Sequence, residues 1–180
     1  HGKLADAVAK TDLIIEAVPE KLDLKKKIFA ELDRVAAGHV IIATNSSSIP
    51  VSKIEEAVER RDKVVNLHFY PRPTGITPMV DLMGGNRTSD ETLIRAREWI
   101  EGIGCVPLVV KKECMGFVFN RIWRSVKRES LRSWAGGHAD YKDIDRAWKI
   151  WTGMMAGPFG IMDFVGRDVV PVLAPLAEED

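Results

Sequence analysis

Three short apolar runs rich in β-branched residues punctuate the first third of the chain: DLIIEAV (12–18), VIIATN (40–45) and KVVNLHF (63–69). Each has the length and composition of a buried strand. Between the first two, EKLDLKKKIFAELDRVAAG sets Leu24, Ile28, Leu32 and Val35 at helical spacing, with Gly38 as a stop signal. Between the second and third, SKIEEAVERR predicts another helix. There Ser52 and Glu55 have the offset of a capping box, and Pro50 keeps the preceding loop out of the helix. MVDLM (79–83) reads as a further strand, Thr88 and Glu91 as a second capping box opening the helix DETLIRAREWIEGIG, and CVPLVV (105–110) as a last strand.

Strands alternating with helices over such short connections predict parallel β-α-β units with both sheet faces covered. Residues 1–110 are therefore expected to be α/β. Beyond them the periodicity changes. MGFVFNRIWRSVKRESLRSW carries Phe119, Ile122, Trp123, Val126 and Trp134 along one stripe, a long amphipathic helix closed by Gly136 and Gly137. ADYKDIDRAWKIW predicts a second helix with Asp140 as N-cap, and GPFGIMDFVG and DVVPVLAPL read as short helical pieces. The expected organisation is an α/β domain over 1–110 and an all-helical domain over 111–180, with the boundary between Lys111 and Met115.

The totals narrow the functional classes. Acidic and basic residues balance at 26 each, so no excess of charge recommends a nucleic acid or an anionic membrane as partner. A local basic run (Lys21, Lys25, Lys26 and Lys27) reads by itself as a solvated helix face. The two cysteines, Cys105 and Cys114, make neither a disulfide framework nor a four-thiolate zinc site. His1, His39, His68 and His138 show no metal-ligand spacing, so no metal is expected. No apolar stretch approaches the roughly 20 residues that span a bilayer. A cytoplasmic protein is the expectation.

In open parallel sheets, ligands bind outside the carboxyl ends of the strands. Glu16 to Glu20, Asn45 to Ser48, and His68 to Tyr70 all fall at such ends and so share one rim. The hydroxyl-rich NSSSIP is also ordinary turn chemistry. His68, ending an apolar run, and Asp81, inside the next one, become a proton-handling pair only if their strands are neighbours. A carboxylate beside an imidazole fixes its tautomer and leaves the other nitrogen as a general base.

In order along the chain, DLIIEAVPEKLDLKKKIFAELD, ATNSSSIP, HFYPRP…MVDLM, CVPLVVKKECMGFVFNR and AGPFGIMDFVG resemble the L-3-hydroxyacyl-CoA dehydrogenase family. The resemblance implies an NAD-binding Rossmann domain followed by a helical domain that binds substrate and forms a homodimer. The implied reaction, within fatty acid metabolism, oxidises the 3-hydroxyl of an acyl-CoA to a ketone while NAD takes the hydride. By motif match, His68 takes the general-base position and Asp81 that of the glutamate orienting it. Ser47 falls near the substrate hydroxyl and nicotinamide, and Asn120 at the position that hydrogen-bonds the substrate oxygen. Ala17, Glu20, Lys25 and Asn45 fall at cofactor-lining positions.

Three departures qualify the match. The acid is Asp rather than Glu and lies one residue further along, a shift that a bulge or the loop can absorb. Pro71 in HFYPRP stands where the family pattern HFFNP has an asparagine near the cofactor. No strand followed by G-x-G-x-x-G occurs in these residues, so the part of a Rossmann domain that grips the pyrophosphate is expected to be missing. A dehydrogenase of a small hydroxy acid such as carnitine or gulonate fits the same scaffold. A non-catalytic dimerisation or acyl-CoA-binding module fits the third departure.

Overall fold

The computed structural model describes residues 4–72 and 75–165, which fall into two compact units dividing between Val118 and Phe119. The segment DVVPVLAPL lies outside the described residues. The first unit holds a five-stranded sheet in the order β1 (Leu13–Glu16), β2 (Ile41–Thr44), β3 (Val64–Arg72), β4 (Gly75–Gly84) and β5 (Val106–Val110). A short helix α1 (Leu4–Val8) precedes it. α2 (Leu22–Val35) connects β1 to β2, α3 (Val51–Ile54) connects β2 to β3, and α4 (Asp90–Gly102) connects β4 to β5.

All the expected strands form, and the sheet is mostly parallel: β1 with β2, β2 with β3, and β4 with β5. The exception is the β3–β4 pair, which is antiparallel. Only positions 73 and 74 separate those strands. A parallel pair would need a crossover of about a dozen residues or more.

Register partners share a face, as do alternate residues of one strand. One face carries Ile42, Val64 and then Thr44, Asn66, His68, Asp81 and Met83. Its apolar part packs under α2 and α3 through Phe29, Leu32, Val51 and Ile54, all at most 1% exposed. The other face, with Ile41, Ala43, Val65, Leu67, Val80 and Leu82, packs under Ala96 and Ile100 of α4. Thus the polar positions cluster on one face, towards the carboxyl ends of β1, β2 and β3.

Local signals were read less accurately than elements. α2 ends at Val35, before Gly38. Arg60 closes its end, the guanidinium donating to the Asp33 carbonyl in the last turn and to the Ala36 (3.1 Å) and Ala37 (2.6 Å) carbonyls just beyond it. The Ser52–Glu55 capping box does not form, because Pro50 is the N-cap and α3 opens at Val51. The Ser52 N–H donates to Glu113 at 2.9 Å, and Glu55 instead accepts the Asn86 N–H. At α4 the cap is Ser89, one residue after Thr88. The Ser89 hydroxyl oxygen accepts from Thr92 N–H, while the Thr88 hydroxyl donates to the Val64 carbonyl.

The second unit contains α5 (Phe119–Ala135), α6 (Tyr141–Thr152) and α7 (Pro158–Val165). α5 begins four residues later than Met115, the start of its apolar pattern. Gly116 and Phe117 both take positive φ (78° and 53°), which helical backbone does not. Residues 111–118 therefore belong to the first unit rather than to the helical one. Asp140 caps α6 as expected, accepting the Lys142 N–H at 2.9 Å. Asp145 of α6 accepts the N–H groups of Phe159 (2.8 Å) and Gly160 (3.0 Å), capping the start of α7. A side chain at Gly157 would overlap Asp145, so glycine is required there.

Candidate active site

At the end of β1, Glu16 is turned inward and 4% exposed. A buried carboxylate needs partners, and here every one is supplied by the protein. Lys25 Nζ lies 2.8 and 3.1 Å from its two oxygens, the Thr44 hydroxyl donates at 2.8 Å, and the Val18 N–H at 2.6 Å. Lys25 itself is 1% exposed and also donates to the Val18 carbonyl. The lysine singled out from the basic run is thus an internal strut, with its ammonium occupied within the protein.

Above this pair, Glu20 gathers the β2–α3 loop. Its carboxylate accepts from the Ser46 hydroxyl, from the Ser48 hydroxyl (2.8 Å) and N–H (3.1 Å), and from the Ile49 N–H (3.3 Å). Lys25 lies 3.3 Å from its other oxygen. Burial alone would raise the Glu20 pKa. The Ser46 and Ser48 hydroxyls, then the Lys25 charge, outweigh burial and bring it to about 2. Of NSSS, the first and third serines hold the loop. Ser47, the one matched to the family's site, is exposed between them. Asn45 ties the loop to β3, its side-chain oxygen accepting the Phe69 N–H at 2.9 Å. Ala17 is exposed at the end of β1.

His68 and Asp81 meet the adjacent-strand condition. The two residues are direct partners across the β3–β4 ladder, and the register shift falls beyond them, between Phe69 and Pro71. His68 is 7% exposed and Asp81 fully buried. Nδ1 of His68 lies 3.6 Å from Oδ2 of Asp81, slightly beyond the hydrogen-bond reach expected of the pair. That oxygen accepts instead from the Tyr70 hydroxyl. Neither His68 Nδ1 nor Asp81 Oδ1 has a hydrogen-bond partner among the described residues.

The imidazole is held by two rings. Tyr70 meets it edge-on at 4.4 Å and 81°, and Phe117 stacks on it at 4.9 Å and 12°. Phe117 is 2% exposed and held at φ 53°, a conformation that costs a side-chain-bearing residue of order 1–3 kcal/mol. Buried Asn66, two residues before His68, donates to the Ser46 carbonyl at 2.8 Å and links the histidine strand to the serine loop. Asn120 belongs to the second unit, in the first turn of α5.

Sequence reasoning put Glu16, Ser46 and Tyr70 on the rim without giving any of them a role, and it missed Phe117. For Glu16 a signal existed, since an acid closing an apolar run at a strand end is a buried acid needing a cation. For Tyr70 and Phe117 there was none, because both contacts depend on tertiary placement.

The sheet is of Rossmann type, with a histidine and a carboxylate opposed across two of its neighbouring strands. The family models named 3-hydroxyacyl-CoA dehydrogenase, NAD binding domain, and 3-hydroxyacyl-CoA dehydrogenase, C-terminal domain, match residues 1–114 and 116–179. The chain belongs to the 3-hydroxyacyl-CoA dehydrogenase family. It is 35% identical over 164 residues to the human mitochondrial hydroxyacyl-coenzyme A dehydrogenase, covering 91% of this chain and 52% of that protein. It is 31% identical over 180 residues to the 5-formyl-3-hydroxy-2-methylpyridine 4-carboxylate 5-dehydrogenase of Mesorhizobium japonicum, covering 98% and 58%. Among solved structures, the (S)-3-hydroxybutyryl-CoA dehydrogenase of Ralstonia eutropha superposes with a TM-score of 0.85 at 33% identity, covering 94% of this chain and 59% of that one. The chain spans about half the length of the curated relatives it matches.

Proposed function

We propose that this chain carries the proton-transfer machinery and the nicotinamide-side rim of an NAD-dependent dehydrogenase that oxidises the 3-hydroxyl of a 3-hydroxyacyl-CoA. The observation that carries the reading is the direct opposition of His68 and Asp81 across β3 and β4. With Nδ1 directed at the carboxylate, Nε2 is the nitrogen left to take the hydroxyl proton. As that proton arrives, Asp81 stabilises the imidazolium that forms. Asn120, by its motif position, hydrogen-bonds the substrate oxygen.

The cofactor fits the rim as found. Ala17 and Ser47 are small and exposed at the ends of β1 and β2. The charges beneath them are already paired, since Glu16 and Lys25 bond each other at 2.8 Å. Lys25, Glu20 and Asn45 shape this surface by fixing its loops. NAD bound there would supply the hydride acceptor, and His68 would take and hold the hydroxyl proton.

A second reading has its own support. A relative named for a pyridine carboxylate rather than a CoA ester is similar over 98% of the chain. A small hydroxy acid therefore competes with the acyl-CoA as substrate. The test is to join the chain at its N-terminus to a β-α-β segment bearing G-x-G-x-x-G and to follow NADH formation. Turnover of 3-hydroxybutyryl-CoA at least about tenfold above carnitine or gulonate supports the acyl-CoA reading. The reverse order favours the small acid. No turnover of either, with the fold intact, favours the non-catalytic module. The 180 residues alone, without that pyrophosphate anchor, bind NAD no tighter than about millimolar.

The helical unit is the proposed homodimer surface. Trp151 (90%), Met155 (91%), Ile150 (79%) and Ile122 (59%) are exposed well beyond what large apolar side chains usually show. No helix among the described residues is long and apolar enough to cross a membrane, and none of their side chains cluster as a metal site. A soluble, cytoplasmic setting remains part of the proposal.

A further inference from the structure

We infer that Tyr70 is a positioning residue for the proposed general base and acts through Asp81. The inference rests on the reading of His68 as that base. Its ground is the way the carboxylate is held.

Asp81 is fully buried, and a buried carboxylate requires hydrogen-bond donors. The donor it has is the Tyr70 hydroxyl, on Oδ2. That same oxygen faces His68 Nδ1 at 3.6 Å, while Oδ1 is unpartnered. The terminal torsion of an aspartate is broad and roughly two-fold, so an unanchored carboxylate could turn either oxygen away. A hydroxyl bonded to Oδ2 removes that freedom. An oxygen with two lone pairs then accepts from Tyr70 and, after a shift of a few tenths of an ångström, from the imidazole N–H as well.

The surrounding packing leaves little other motion. Tyr70 and Phe117 hold two sides of the His68 ring at 4.4 and 4.9 Å. Tyr70 thus anchors a short acid that would otherwise be loosely aimed.

Nitrogen NMR of the imidazole in the 180-residue chain reads this without cofactor or turnover. At a pH where the ring is neutral, the nitrogen shifts report which of Nδ1 and Nε2 carries the proton, and His68→Gln identifies the resonance among the four histidines. The wild-type ring should hold its proton on Nδ1. Tyr70→Phe keeps the ring packing and should lower the Nδ1–H to Nε2–H ratio about tenfold, the scale of one hydrogen bond to a charged group. Asp81→Asn should abolish the preference, and adding Tyr70→Phe to it should change nothing further. Tyr70→Phe combined with Asp81→Glu exchanges the oxygen for the methylene and should restore the ratio to within about twofold of wild type.

A ratio unchanged by Tyr70→Phe overturns the inference, as does an equal change in the Asp81→Asn background. If Asp81→Asn shifts the ratio and Tyr70→Phe does not, only the role of Tyr70 falls. If Asp81→Asn also leaves it unmoved, the His68–Asp81 pair falls with it.

Discussion

The two units of this chain treat their large apolar residues in opposite ways. In the sheet unit, Phe29, Ile42, Ile54, Leu67, Leu82 and Ile100 are all completely buried between strands and helices. In the helical unit, the buried residues of the described helices are Ser130 and Pro158, while Trp151 and Met155 stand about nine-tenths exposed. A short set of helices with wide apolar stripes has too little partner surface of its own. The sheet, covered on both faces, closes its own core and encloses a buried polar pair. Closed packing belongs to the first unit, and unfilled surface to the second.

The contrast can be sharpened by substitution. Replacing the proposed base, His68→Ala, should lower kcat by about two to four orders of magnitude in the chain joined to a glycine-turn segment. Steady-state NADH formation measures this, and the same assay on Trp151→Ala should show no comparable loss per active site. Lys25→Met leaves Glu16 buried without its cation and should cost about 3–5 kcal/mol. Urea unfolding of the first unit reads that loss.

Phe29→Ala should cost about 3–5 kcal/mol by the same measurement, whereas Trp151→Ala should cost less than about 1 kcal/mol in the monomer. Its effect belongs to association. Trp151→Glu with Met155→Glu should convert a dimer seen by light scattering at micromolar concentration into a monomer. A wild-type chain that is already monodisperse as a monomer would break the contrast on that side.

The smallest effect is one of acid. The folded-state pKa of Glu20 is depressed to about 2, so the stability it contributes is full above the ordinary carboxylate range. That stability is lost as pH falls from there towards 2. Glu20→Gln should flatten this part of the unfolding midpoint against pH and leave the neutral region nearly unchanged.

Much of this organisation was legible in the residues. Strand runs, helical spacing and the alternation between them placed every strand and the change to helices. What failed was local. The offset of Ser52 and Glu55 suits a capping box, yet Pro50 opened α3 two residues earlier and Glu55 turned to the loop at Asn86. Thr88 lost its cap to Ser89 because its hydroxyl is taken up in the preceding turn, accepting the Gly85 N–H at 2.7 Å and donating to the Val64 carbonyl at 2.6 Å. The site was legible as a set of strand ends, and the neighbouring strands of His68 and Asp81 could be stated as a condition. That Tyr70 would occupy the carboxylate, or that Phe117, after β5, would stack on the imidazole, depends on contacts no periodicity records. Motif position favoured Ser47, while geometry gave the loop to Ser46 and Ser48.

The most direct measurement is a double-mutant cycle on kcat for His68→Ala and Asp81→Asn. If the two side chains act as one proton-transfer unit, Asp81→Asn should cost less than His68→Ala, and the double variant should be no slower than His68→Ala alone. Losses that multiply independently, or a wild-type rate in His68→Ala, would contradict a histidine base oriented by the neighbouring strand.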